Sequence, residues 1–118
     1  MDVVELPSEL NEKLYELIEV SRATGKIRKG TNEVTKSLER GEAKLVIVAS
    51  DVQPPEVIMH LPLLAKEKGI PVVKVKSKEE LGVAAGLSVP TASAAITDPG
   101  EAKQMLVELS EKIKELSA

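Results

Sequence analysis

At 118 residues, with 42% apolar and 30% charged side chains, the chain has the length for one domain with a real core and the composition of a globular protein. The absence of Cys excludes a disulfide framework, a thiolate zinc site and a thiol nucleophile. A single Tyr, with no Phe or Trp, leaves almost no means of recognising nucleic acid by stacking bases on aromatic side chains, and the formal net charge of −3 argues at first against nucleic acid altogether.

In chain order, Met1-Asp2-Val3-Val4-Glu5-Leu6-Pro7 lacks the basic and apolar regions of a signal peptide, which sets the expectation of a cytoplasmic protein. Ser8 is placed to cap a helix whose Leu10, Leu14, Leu17 and Ile18 form one apolar stripe ending near Gly25. Lys26–Lys29 reads as a short strand and Gly30 as a turn. A second helix is expected from a Thr31 cap to Arg40, with Gly41 as its stop and Val34 and Leu38 facing inward. Leu45–Ala49 is an unbroken apolar run, the pattern of a strand covered on both faces.

After a loop at Ser50–Gln53, Pro54-Pro55 sets the expected start of a third helix carrying Val57, Ile58, Leu61, Leu64 and Ala65 to Gly69, with a kink at Pro62. Pro71–Val75 is the next strand. Ser77-Lys78-Glu79-Glu80 is a capping box for a short helix ending at Gly86. The Leu87-Ser88-Val89-Pro90 loop leads to a small-residue strand over Ala92–Thr97, and the residues alone favour folding this apolar tip back onto the core. Asp98-Pro99-Gly100-Glu101 supplies an N-cap, a first-turn proline and a second capping box for a last helix that packs through Ala102, Met105, Leu109, Ile113 and Leu116. The alternation predicts one α/β domain spanning residues 1–118, a three-layer α/β/α sandwich with a four-stranded mixed sheet and about five helices. No apolar run approaches the ~18 residues of a membrane span.

The charge is unevenly distributed. Between Arg22 and Arg40 stand six cations (Arg22, Lys26, Arg28, Lys29, Lys36, Arg40) against two acids, Glu33 and Glu39. Screening confines fields to roughly 8–10 Å, so such a patch meets phosphate whatever the net charge. Within it lies a helix start, where unpaired N–H groups and a partial positive charge suit an anion. Asn32 and Lys36 are four apart and Glu33 and Lys36 three apart, so all three share one helix face. They offer the acceptor and donor groups that read a base edge, although the residues alone favour simple capping by Asn32 and Glu33.

Lys29-Gly30-Thr31-Asn32-Glu33-Val34-Thr35-Lys36, Glu39-Arg40-Gly41, Asp51-Val52-Gln53-Pro54-Pro55-Glu56, His60-Leu61-Pro62-Leu63-Leu64, Ser77-Lys78 with Leu81-Gly82, and Val89-Pro90 with Ala92–Ile96 follow one another without large gaps. In this combination the chain resembles the kink-turn-binding ribosomal protein family, most nearly its archaeal large-subunit branch. The resemblance implies an RNA target with tandem sheared G·A pairs and one flipped-out nucleotide. It implies that Glu33 accepts from the guanine N1–H and N2–H donors while Lys36 and Asn32 address O6 and neighbouring polar atoms. Lys26, Lys29, Gly30 and Thr31 complete that segment. It further implies that Leu87, Ser88, Val89 and Pro90 pack on the kinked strand, that Gln53, Val57 and Lys78 surround the flipped nucleotide, and that Lys78 and Arg40 meet phosphate. Val89 stands where eukaryotic relatives carry arginine, and Gln53 where relatives usually carry an acid.

The implied partners are ribosomal RNA, box C/D and H/ACA guide RNAs, the ribosomal large subunit and the core proteins of guide ribonucleoproteins. No cofactor, no metal and no membrane are expected, and the free chain is expected to be a monomer. The scarcity of aromatics and the lack of Cys are also what an engineered family member would show. His60, the only histidine, reads as a packed or half-buried helix residue rather than a ligand or base. Asp51 with Glu56 and Asp98 with Glu101 read as helix-start carboxylates rather than acid/base pairs. No P-loop, dinucleotide fingerprint or nucleophile elbow is present. The competing class, a small α/β enzyme or protein-interaction module of the same fold, needs a convergent catalytic set that the sequence does not offer.

Overall fold

The computed structural model describes residues 3–117. Met1, Asp2 and Ala118, which the single-domain and leaderless-start expectations also span, lie outside the described residues. A five-stranded mixed sheet of order β1-β4-β3-β5-β2 carries five α-helices. Its strands are β1 Val4–Glu5, β2 Lys26–Lys29, β3 Leu45–Ala49, β4 Val72–Val75 and β5 Ser93–Asp98. The helices are α1 Ser8–Thr24, α2 Thr31–Glu39, α3 His60–Lys68, α4 Lys78–Ala84 and α5 Lys103–Ser117. Among the described residues, no helix is long and apolar enough to cross a membrane.

The fifth strand corrects the expected four. β1 is two residues long and shows no periodicity. It forms because Leu6, 3% exposed, anchors the chain beside β4, with Val4 opposite Val73 and Glu5 opposite Lys74 in parallel register. β3 runs parallel to β4 and antiparallel to β5, and β5 antiparallel to β2. All five residues of β3 are buried, as a strand covered on both faces requires. α2 packs on α3, whereas α1 packs on α4 and α5. β5 is touched by α2 and also by α1 and α4, and its buried Ser93-Ala94-Ala95 run keeps side chains small where they approach.

Several helix starts differ in detail from the sequence expectations. Ser8 is the first helical residue rather than the cap; Pro7 precedes it, and its carbonyl accepts from the N–H groups of Leu10 and Asn11. Gly30, not Thr31, occupies the cap position of α2. The Pro54-Pro55 segment makes only a short 3-10 turn over Pro55–Val57, and α3 begins separately at His60. Pro62 therefore falls in the first turn of α3, where a missing N–H removes no helical hydrogen bond and imposes no kink of the kind an interior proline does. α4 ends at Ala84 rather than Gly86.

Ser77 does cap α4, accepting from the Glu80 N–H at 3.1 Å. Asp98 accepts instead from Gly100 at 2.9 Å, and the Glu101 N–H goes to Thr24 Oγ1 at 3.0 Å, so the second box is shared with the end of α1. Leu116 is 51% exposed and lies off the packed face of α5, while Leu109 and Ile113 are buried.

One close approach fixes the loop after α4. A Cβ on Gly82 would collide with the Val89 carbonyl oxygen and press on Pro90 Cα at 3.2 Å. Gly82→Ala is therefore expected to push residues 87–90 outward and to cost about 1–3 kcal/mol of stability, the usual range for overpacking, measurable by urea denaturation.

Candidate nucleic-acid interface

The register of the mixed sheet decides which loops meet. Lys29 at the end of β2 stands opposite Ala94 near the start of β5, Val48 near the end of β3 opposite Ser93, and Ala49 opposite Val75 at the end of β4. The C-terminal ends of β2, β3 and β4 and the N-terminal end of β5 thus share one end of the sheet. The start of α2, the Ser50–Gln53 loop, the start of α4 and the Leu87–Pro90 loop all leave from it.

Gly30 makes the turn into α2. Its φ of 88° lies in the left-handed region that side chains rarely adopt, and its N–H donates to the Ser93 carbonyl at 3.1 Å. The Val34 N–H closes the first helical turn on the Gly30 carbonyl at 2.9 Å. Among the described residues no acceptor takes the N–H groups of Thr31, Asn32 and Glu33, so they point out of the helix start unpaired. Asn32, Glu33 and Lys36 are exposed around them. Glu33 and Lys36 approach to 3.7 Å with both side chains about half exposed, an ion pair weak enough to open at little cost.

Buried anchors hold this rim in place. Ser93, fully buried, accepts at its carbonyl from Thr91 Oγ1 at 3.1 Å as well as from Gly30, and its hydroxyl lies 3.4 Å from that of Thr31. Thr91 donates its N–H to the Lys78 carbonyl at 3.1 Å, and Lys78 donates its own N–H to Asp51 Oδ1 at 3.0 Å. A single chain of hydrogen bonds therefore runs from α2 through the start of β5 to α4 and the β3 loop. On the other flank, Thr35 Oγ1 donates to the Thr31 carbonyl at 2.7 Å and lies 2.8 Å from His60 Nε2. The hydroxyl has one proton, already given, so the imidazole Nε2 carries a hydrogen and donates to Thr35.

The expected site residues divide on this map. Lys29, Gly30, Thr31, Asn32, Glu33 and Lys36 gather at the α2 start; Lys78, half-buried, and Leu87, Ser88, Val89 and Pro90 stand at the same end of the sheet. Val89 is 60% exposed, so the loop tip does not fold back onto the core: the Gly82 contact is with its carbonyl, which turns its side chain to solvent. Gln53 is exposed before the 3-10 turn, and Val57, 42% exposed, ends it.

Two residues are not brought in. Lys26 lies opposite Asp98 at the other end of β2, about 10 Å from Lys29 at ordinary strand spacing. Arg40 closes α2 at its far end, about 13 Å along the axis from Thr31. Ser93, Thr91 and Asp51 do the positioning; the sequence singles out only Asp51, as a helix-start carboxylate, and the helix start it serves is that of α4. Their signal, a small polar residue opening a buried strand and a carboxylate ending another, is common to loops of any function. His60 is exposed and tied to α2, not packed inside α3. Among the described residues no group of three or more His, Asp or Glu side chains is placed to hold a metal ion.

An exposed helix start and an apolar loop, held at one end of a sheet by buried hydrogen bonds, are features that comparison with known proteins can place. The Giardia lamblia 15.5kD RNA-binding protein superposes with a TM-score of 0.89 at 37% identity, over 94% of this chain and 92% of that one. That protein binds RNA, by its name, and is not described as an enzyme. Residues 12–106, which run from the second turn of α1 to the first turn of α5, match the family described as ribosomal protein L7Ae/L30e/S12e/Gadd45. The chain belongs to the ribosomal protein L7Ae/L30e/S12e/Gadd45 family.

Proposed function

We propose that this chain is an RNA-binding scaffold that recognises a kink-turn and stabilises its bent form. The observation that carries the proposal is the meeting of the α2 start with the Lys78 and Leu87–Pro90 elements at one end of the sheet. In a sheared G·A pair the guanine keeps N1–H and N2–H as donors and O6 as an acceptor. Glu33 supplies the acceptor for the first two, and Lys36, one turn on, the donor for O6, with Asn32 beside them. The unpaired N–H groups of Thr31–Glu33 and the ammonium of Lys29 receive backbone phosphate.

Val89 and Leu87 give apolar contact where aromatic stacking is not available, with Ser88 and Pro90 shaping the loop. Gln53, Val57 and Lys78 line the place of a flipped-out nucleotide. Lys26 and Arg40, set back from the rim, reach only phosphates of the flanking stems. Binding stabilises the bent population of the RNA by the difference in affinity for bent and extended forms.

The expected assemblies are the large ribosomal subunit and box C/D or H/ACA guide ribonucleoproteins in the cytoplasm of an archaeal cell, with the chain monomeric before it binds. Catalysis in guide particles would belong to partner proteins, not to this one.

The test is titration into two end-labelled RNAs, a kink-turn and the same RNA with both G·A pairs replaced by Watson–Crick pairs, following energy transfer between the helix ends at one stated salt concentration. Tight binding with closure of the first RNA alone is expected; equal, salt-sensitive binding to both would refute base recognition. In the same assay Glu33→Ala and Lys36→Ala are each expected to lose about 1–3 kcal/mol on the kink-turn and far less on plain duplex. Lys78→Ala is expected to weaken binding to all sequences alike and to lower the slope of log affinity against log salt by about one unit.

A further inference from the structure

Adjoining the candidate nucleic-acid face at the start of α4 and running away from it, α1 and α4 lie side by side and leave an open trough between them of about 610 Å³. Its walls are Tyr15, Val83 and Ala84, and its rim carries Glu12 and Glu19 from α1 and Glu79 and Glu80 from α4, with no Lys or Arg among the lining residues. Val83 is 70% exposed, a large aliphatic side chain turned to water in the middle of this surface. None of the four carboxylates takes part in an ion pair among the described residues. The trough between α1 and α5 is different in kind: Lys13 and Lys112 stand among its acids, and Lys112 pairs with Glu115 at 3.6 Å.

We propose that the α1–α4 trough is a docking site for a cationic segment of a partner protein, a short helix that seats one or two aliphatic side chains on Val83 and Tyr15 and sets Lys or Arg against the four glutamates. The lining recurs at i, i+3/i+4 along both helices (Ser8, Glu12, Tyr15 and Glu19 on α1, Glu80 and Val83 on α4), which makes a straight groove that suits a helix laid along it, and the one-signed rim selects the sign of the partner. The same rim excludes RNA, whose phosphates would meet uncompensated carboxylates. The surface is thus a second, oppositely charged face, independent of the kink-turn proposal.

The tyrosine carries the field of that face. The Tyr15 hydroxyl donates to Glu80 Oε2 at 3.4 Å. Partial burial, the Glu80 carboxylate and hydrogen bond, and the more distant Asp51 together push its pKa up from 10.0 to about 12. A bound cation works in the opposite direction and lowers it.

Because Tyr15 is the only aromatic residue of the chain, its emission reports on this trough without background. The full chain is titrated with a helical peptide of Leu, Ala and Lys, with the same peptide carrying Glu for Lys, and with spermine. Saturable change in Tyr15 emission with the Lys peptide alone is expected at neutral pH. Val83→Lys, at an exposed position that leaves the fold intact by circular dichroism, is expected to weaken the peptide at least about tenfold, as loss of a central anchor does. The proposal is overturned if Val83→Lys binds as tightly as the parent chain. It is overturned equally if spermine matches the peptide, which would mean charge without a groove, or if sedimentation shows a dimer of the chain that Val83→Lys dissolves, which would make a second copy the occupant.

Discussion

The Ser93 carbonyl accepts two hydrogen bonds, one from the Gly30 N–H and one from the Thr91 hydroxyl, and the candidate RNA face depends on that bifurcation. Ser93 is fully buried at the start of a central strand, where an unpaired polar group would be costly, so both donors are held where the sheet holds their acceptor. One of them opens α2; the other follows the Leu87–Pro90 loop. Two segments far apart in sequence are thereby fixed relative to each other by the core rather than by their own flexible side chains. A rim built this way is rigid before any ligand arrives, which reduces the ordering cost of binding.

The exposed side chains on that rim are placed with little local stabilisation of their own. The Glu33–Lys36 pair is half in water, and the N–H groups of Thr31, Asn32 and Glu33 have no partner among the described residues. Buried anchors and unsatisfied rim groups are complementary: the first set the geometry, and the second leave free valences for a partner. His60 adds a lateral tie from the opposite flank through Thr35, so the first turn of α2 is held both from β5 and from α3.

Much of this was legible in the residues and some was not, for physical reasons. Long periodic segments, the α1 stripe and the β3 run above all, declared themselves because burial imposes their pattern. β1 did not, since two residues have no period and pairing is supplied by β4 and by Leu6. Helix starts were misjudged by one or a few residues where several cap-forming residues compete: Gly30 took the cap from Thr31 because only it accepts the positive φ the turn demands. The 3-10 turn at Pro55–Val57 broke an apparently continuous helix, since apolar spacing alone does not tell one turn from the beginning of ten. At the candidate site, Asn32, Glu33 and Lys36 fall together because helix spacing is local. Lys26 and Arg40, which the resemblance includes, flank these three in sequence, and an extended strand and a full-length helix convert this proximity into distance. Hydropathy alone sends Val89 inward, whereas the backbone contact at Gly82 decides which way it faces.

The sheet ends on one side in β2, a short strand whose outer backbone edge pairs with no strand among the described residues. An unpaired edge is a template for another chain's strand, and short length and lysine are common ways of blunting it. Lys26, Arg28 and Lys29 occupy three of its four positions. Three cations along one short edge make two copies of it repel each other, so the strand that leads into the α2 start also guards the protein against sheet-to-sheet aggregation.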